Sequence, residues 1–272
     1  MTTGTLVLAR HSLMRIRGVL IGLGLLLAGF QFLLVQVAAY FARENAFNQL
    51  SALLPDFVRS MAGPSVLAFM SFGGIVSLGY FHPIVITALV GLMISIATEP
   101  AGEVETRFVD LALSRPITRH DAVTRSVLVL TGAGGLMLLL MLTGTWVGLA
   151  CCTPAGAEAP SPGLFVSLAA SLAAVMAAWG GVALAIAAGA KRRAVAGSVA
   201  GVCALAGYML DYLGRAWAPA QTVSVISPFH YFETMPLVMG QPLEVRNSPG
   251  ELLPALRIGK PRRVGLEYRD GR

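Results

Sequence analysis

Charge is scarce in this chain. Only 12% of its 272 residues are Asp, Glu, Lys or Arg, whereas 56% are hydrophobic and the mean hydropathy is +0.72. A water-soluble domain usually carries about a quarter charged residues. Because so few charges do not cover the surface of a soluble fold of this length, the composition predicts an integral membrane protein with short polar loops.

Residues with metal or redox chemistry are also few. Cys151 and Cys152 are adjacent and Cys203 lies in an apolar run, so we interpret the three cysteines as small packing residues rather than a disulfide framework. The four histidines show no metal-ligand spacing. We therefore expect no metal site. We also expect no catalytic residues, because the apolar stretches show no Ser/His/Asp, His-rich or paired-acid pattern.

A phosphate-binding loop is missing as well. Its pattern, G-x-x-x-x-G-K-[ST], has its nearest candidate at Gly259–Lys260, where Pro254 replaces the first glycine and Pro261 replaces the hydroxyl residue. Any ATP chemistry would have to come from a partner. The net charge of +6 does not indicate a nucleic-acid partner, because Lys and Arg in a membrane chain more often mark the cytoplasmic loops.

Long apolar runs are what the chain does have. A bilayer core of ~30 Å needs about 20 apolar residues as helix. Four runs satisfy this requirement and are predicted to span: Gly18–Tyr40, Ser126–Cys151, Gly163–Ala188 and Ala194–Leu213. The fold class predicted is an all-α integral membrane protein with about five transmembrane helices.

The fifth span must come from residues 64–98, which are too long for one straight crossing. The run breaks near "FGG" and "GYFHP", so it is either a hairpin of two spans or one span, His82–Thr98, after a re-entrant or broken segment. A single crossing, with the N-terminus inside, puts ten basic residues in the cytoplasm and three outside, as the positive-inside rule favours. The inner set is Arg10, Arg15, Arg17, Arg107, Arg115, Arg119, Arg125, Lys191, Arg192 and Arg193; the outer set is Arg43, Arg59 and Arg215.

Two polar segments are predicted on the cytoplasmic side. In Leu6–Arg17, apolar residues recur at helical spacing with the basic residues elsewhere, so this segment is either an amphipathic surface helix or an extension of the first span. In residues 101–123, Val104, Phe108 and Leu111 share one helical face. Pro116 ends that helix and Thr118 begins the next. Since a simple loop needs far fewer residues, we interpret this acidic segment as a docking element for a cytosolic protein.

Four motifs carry a resemblance to a known family. "GEVETRFVDLALSRPITRHDAVTRS" resembles the cytoplasmic loop of permease subunits of type-2 ABC exporters, and "LLPDFVRSMAGP", "GYFHP" and "ISPFHYF" are similar to family segments and occur in the same order. The resemblance implies a permease that works as a homodimer or paired permease with cytosolic ATP-binding cassette subunits, which would bind ATP and Mg. It also implies a multi-pass protein of the cell (inner) membrane with a cytoplasmic N-terminus.

In that family, the loop between the second and third spans is the coupling helix, which docks in a groove of the ATPase. The resemblance places this role on Glu103, Glu105, Arg107, Phe108, Asp110, Leu111 and Arg115. Family members normally have a sixth span, whereas here we expect a permease domain over residues 1–240 and a polar basic tail over 241–272. The alternatives are an ion-coupled secondary carrier and a membrane-embedded enzyme.

Overall fold

The structure is a computed structural model that describes residues 3–44, 71–105, 119–154, 160–232 and 238. Within these residues the chain is helical apart from short turns, and it contains no strand. The helices are α1 (Thr3–Arg15), α2 (Arg17–Arg43), α3 (Phe72–Phe81), α4 (Pro83–Ala97), α5 (Glu99–Glu105), α6 (Arg119–Cys152), α7 (Pro162–Gly189), α8 (Arg193–Ala216), α9 (Ala218–Ser224) and a 3-10 helix, Pro228–Tyr231.

The described residues contain five segments that are long and apolar enough to cross a membrane, which confirms the predicted fold class. They are Arg17–Arg43, Phe72–Glu105, Val123–Cys152, Pro162–Gly189 and Arg193–Ala216. Four agree closely with the predicted spans. The remaining one begins ten residues before the predicted His82, because α3 extends the crossing on the far side of the break.

The second span is a broken helix that runs in one direction. His82 adopts extended backbone and its ring nitrogen accepts from the Ile84 amide, so Pro83 can start a new helix where its missing N–H costs nothing. Along α7, the order of contacts is Gly73 with Pro160, then Tyr80 with Phe165. Further on, Met93 of α4 reaches Gly180. Because α3 and α4 follow α7 in the same order, the segment is one bent crossing and not a hairpin.

The first and third spans, α2 and α6, pack side by side and run parallel. Small residues permit this approach: Ala28 faces Gly144, and Val35 faces Gly148. At the end of the pair, the Arg43 guanidinium donates to the Cys152 carbonyl over 3.4 Å. Small residues at the contact let membrane helices gain van der Waals packing that larger side chains would prevent.

Large apolar side chains cover the outside of the molecule. Leu25 and Leu26 of α2 are 63% and 65% exposed, and Val202 and Leu205 of α8 are 66% and 62% exposed. In water this surface would be strongly unfavourable, whereas in a bilayer it faces lipid tails of the same polarity.

The N-terminal segment forms a helix of its own, separated from α2 by a turn at Ile16. Its Ala9 and Ser12 are buried, and Leu13 reaches the α6 backbone at Gly132. One face of α1 therefore packs on α6, and its position at a membrane surface stays a prediction. The predicted basic tail, residues 241–272, lies outside the described residues.

Candidate functional site

Helix α5 ends the second span and begins the acidic segment. Thr98 ends α4 with its hydroxyl donating back to the Ile94 carbonyl over 2.9 Å, and the chain continues directly into α5. Ala101 is buried against Ala187 of α7 and Ala196 of α8. Because all three residues are alanines, α5 lies close against the ends of both spans.

Two acids of α5 form ion pairs with other helices. The Glu103 carboxylate accepts from the Arg125 guanidinium of α6 at 2.6 Å, and these side chains are only 26% and 15% exposed. The Glu99 carboxylate lies 3.5 Å from the guanidinium of Arg15 at the end of α1, where the arginine is 71% exposed. The Glu103 pair, being shorter and less exposed, is the stronger of the two connections.

A third acid, Glu105, connects α5 to α8. Its carboxylate accepts from the backbone N–H of Arg193 over 3.0 Å, at the first residue of α8. The Arg193 guanidinium reaches back to the Ser95 carbonyl of α4 over 3.1 Å. Gly102 makes room for this arginine, because a Cβ there would lie 3.1 Å from its Cδ.

The seven-residue helix α5 thus contacts three separate helices through its acids: α1, α6 and α8. Exposed ion pairs typically contribute roughly 0–1 kcal/mol each, so their main physical effect is to set the position of α5 relative to those helices. A displacement of α5 must move its partners or break these bonds. The arrangement suits transmission of a mechanical displacement between the acidic segment and the spans.

Only part of the predicted docking site lies within the described residues. Glu103 and Glu105 are placed in α5, with their carboxylates bonded inside the chain as described above. The neighbouring Val104, which belongs to the predicted apolar face, is 48% exposed. The other predicted docking residues, Arg107, Phe108, Asp110, Leu111 and Arg115, lie outside the described residues.

Sequence reasoning missed the partners of the acids. Arg15, Arg125 and Arg193 were all predicted on the same side of the membrane as the acidic segment, and the structure places all three beside α5. The predicted placement of arginines and acids on the same side of the membrane therefore indicated that ion pairs form there. The individual pairs were not readable, because the Glu103 and Arg125 positions are 22 residues apart and the Glu105 and Arg193 positions are 88 apart.

A second polar group lies deep within the spans. The Gln31 side chain of α2 is fully buried, and neither of its amide atoms has a hydrogen-bond partner in the part of the chain that the structure describes. It packs directly on Gly79, where any Cβ would collide with the amide. The next residue, Tyr80, shares a 2.9 Å hydrogen bond with Thr145. This polar group lies one turn from the break at His82.

Comparison of the chain with protein-family models, curated proteins and solved structures finds no significant match. Two features of the described residues bear on function: the helix α5 held to three other helices, and the buried polar group beside a broken span.

Proposed function

We propose that the chain is the transmembrane permease subunit of an ABC-type exporter. It forms the translocation pathway, and a separate cytosolic ATP-binding subunit, which binds ATP and Mg, drives it. The proposal includes an inner-membrane location with a cytoplasmic N-terminus, and assembly as a homodimer or with a second permease. The order of the four family-like motifs supports this class. The five apolar spans among the described residues fit a multi-pass membrane subunit and are one fewer than the six that the family normally has.

One observation carries the proposal: the acids of α5 are bonded to other helices, while an apolar residue between them is exposed. Glu103 is partly buried and pairs with Arg125 of α6, and the exposed Glu105 accepts from the Arg193 amide of α8. Val104 between them is 48% exposed. An exposed apolar residue on a braced helix is the arrangement expected of a docking element for another protein.

The ion pairs then give the docked partner a route to the spans. When the ATP-binding subunits close on nucleotide, they displace the segment that begins at α5. The Glu103–Arg125 pair passes that displacement to α6, and Glu105 passes it to α8 through the Arg193 amide. Since α2 packs along α6, the first span follows the third. Coupling of this kind needs contiguous contacts with two discrete arrangements.

The test is recovery of an ATPase with the full chain. The tagged chain is purified from membranes of its own host in mild detergent, and the eluate is assayed for ATP hydrolysis. We expect a co-eluting nucleotide-binding protein. Because burial of a valine side chain contributes about 1.5–3 kcal/mol, Val104→Asp should reduce the recovered ATPase roughly tenfold or more.

Val19→Asp is the matched control. Val19 is 60% exposed near the start of α2, on the same side of the molecule as α5, because Arg15 just before it pairs with Glu99. This change adds the same charge outside the docking surface, so it should leave ATPase recovery unchanged. Equal recovery with both variants would remove the docking role from Val104. Absence of any nucleotide-binding protein with the unaltered chain would overturn the function itself.

A second candidate function is an ion-coupled secondary carrier. The observation that favours it is the Gln31 amide, which has no hydrogen-bond partner among the described residues and lies close to the His82–Pro83 break. Transporters of this class bind ions where helices are broken. Proteoliposomes containing the chain alone, with an imposed proton or sodium gradient and a pH-sensitive dye, test this function. Gradient-driven ion movement without ATP, lost in Gln31→Leu, would favour the carrier over the permease.

A further inference from the structure

A polar cavity of about 290 Å³ lies at the end of α8 that is remote from the acidic segment. It is open on one side and is bounded by α8, α9 and the 3-10 helix of the "SPFHYF" segment. Most of its lining is polar, from Asp211, Arg215, Gln221, Ser224 and His230. This composition contrasts with the apolar lining of most small-molecule sites and indicates a ligand with charged groups.

The walls of the cavity are held by close packing. At Gly214, a Cβ would lie 2.7 Å from the Ser224 Oγ, so glycine is what lets α9 fold back against α8. The Ser227 hydroxyl then donates to the Gly207 carbonyl over 2.8 Å. Phe229 packs on Trp179 of α7, with ring centroids 5.4 Å apart. These contacts fix the segment that carries His230.

Ser224 and His230 are bonded to each other in the wall of the cavity. The Ser224 hydroxyl donates to the Gln221 carbonyl over 2.9 Å, and its oxygen lies 3.2 Å from His230 Nδ1. In the tautomer that carries its proton on Nδ1, His230 donates to this oxygen and presents Nε2 as an acceptor.

The Asp211–Arg215 ion pair in the cavity leaves hydrogen-bonding atoms on both residues available to a ligand. Asp211 Oδ2 accepts from Arg215 Nε over 3.0 Å. Within the described residues, this leaves Asp211 Oδ1 as an acceptor and the two terminal nitrogens of Arg215 as donors. The cavity therefore offers acceptors on Asp211 and His230, and donors on Arg215 and the Gln221 amide. A neutral site with both kinds of group matches a zwitterion.

The same bonds do not form a serine-hydrolase relay. In such a relay, serine donates to histidine and histidine donates to the acid. Here Ser224 donates to a backbone carbonyl, and Asp211 is bonded to Arg215. The sequence showed no Ser/His/Asp pattern. Ser224, His230 and Asp211 share this cavity, but their hydrogen bonds do not link serine to histidine and histidine to the acid in the order that a relay requires.

Exposed aromatic residues are sequence neighbours of the lining residues. Tyr212 follows Asp211, Trp217 follows Ala216 and Tyr231 follows His230, and they are 64%, 58% and 60% exposed. Trp and Tyr are enriched where the bilayer core meets the headgroups. We therefore expect the cavity to open at the level of the phospholipid headgroups.

We propose that this cavity binds a phosphoethanolamine group, a primary ammonium joined by a short linker to a phosphate. The ammonium donates to Asp211 and to Nε2 of His230, and the phosphate accepts from Arg215 and the Gln221 amide. A choline headgroup has the same charges but no N–H, so it cannot make the ammonium bonds. The group can come from phosphatidylethanolamine or from free phosphoethanolamine.

The test is native mass spectrometry of the full chain in detergent micelles, titrated with phosphatidylethanolamine or phosphatidylcholine of the same acyl chains. We expect the ethanolamine lipid to bind about tenfold more tightly, the effect of one charge-assisted hydrogen bond. Asp211→Asn should reduce its binding to the level of the choline lipid. Equal binding of both lipids to the unaltered chain would overturn the proposal, as would an undiminished preference in Asp211→Asn.

Three further variants separate binding from folding. Gln221→Leu changes an exposed residue, and both it and Arg215→Ala should weaken the binding of both lipids, because each removes a phosphate donor. Arg43→Ala removes an arginine from another helix end and should weaken neither lipid. Equal weakening by Arg43→Ala and Arg215→Ala would show a nonspecific charge effect and overturn the site. Competition by millimolar free phosphoethanolamine would identify the soluble group as the ligand source, and lack of competition would identify the lipid.

Discussion

The close contact between α2 and α6 yields a prediction whose size follows from the structure. A Cβ added at Gly144 would lie 2.8 Å from Ala28 Cα and 2.9 Å from its carbonyl carbon, and it would be closer still to the carbonyl oxygen. Ordinary van der Waals contact begins at 3.4 Å. Because all three atoms belong to the backbone, no side-chain rotation relieves the overlap. Gly144→Ala must therefore separate the two helices by roughly 0.6 Å or more.

Overpacking of this kind costs about 1–3 kcal/mol, and we expect Gly144→Ala to lower the free energy of unfolding by that amount. The assay is titration of the purified chain in mixed micelles with SDS, followed by circular dichroism. Gly135→Ala is the matched control on the same helix, since a Cβ there meets nothing within 4 Å. It should be neutral or stabilising by up to about 1 kcal/mol, the helix-propensity difference.

Gly148 provides an intermediate case. A Cβ there would lie 2.9 Å from the Val35 Cβ, which belongs to a side chain and not to the backbone, although that valine is fully buried. Gly148→Ala should therefore destabilise less than Gly144→Ala. If Gly144→Ala proves as stable as Gly135→Ala, α2 and α6 do not approach as described, and the proposed route from α6 to the first span fails with them.

Three further predictions concern the polar groups. Glu103→Gln and Arg125→Gln should each lower the ATP hydrolysis that the permease stimulates in the recovered ATPase, and the double variant should lower it no further than either single variant. Additive losses of this stimulated hydrolysis would argue against a direct pair. Gln31→Leu should raise the free energy of unfolding by roughly 1 kcal/mol, because a buried unpartnered amide is replaced by an apolar group; a lower stability in the SDS titration would mean that the amide has a partner. Tyr80→Phe should cost about 1 kcal/mol by the same assay, and this loss should be absent in a Thr145→Val background, since no bond remains there to lose.

The membrane class and the number of spans were predictable from the sequence because both depend on local properties. A helix that crosses lipid satisfies its own backbone hydrogen bonds and needs a run of apolar residues, and both conditions are visible along the chain. The start of the second span was harder to read. Pro83 has the features of the first residue of a helix, and it does begin α4. Helix α3, however, comes before it and runs in the same direction, so the span begins earlier, at Phe72. The positive-inside rule favoured a single crossing over a hairpin, and the contacts with α7 show that α3 and α4 form one bent crossing.

The site residues divide in the same way. Glu103 and Glu105 stand out in the sequence because they lie in a charged segment between two apolar stretches, whereas their bonds to Arg125 and the Arg193 amide required the folded chain. Asp211, Ser224 and His230 showed no shared pattern, and the turn of α9 onto α8 brings them into one cavity. Hydropathy is a property of consecutive residues, so it can be read from the sequence without knowledge of the fold. Pairing depends on where side chains from distant stretches point, and only packing in three dimensions decides that.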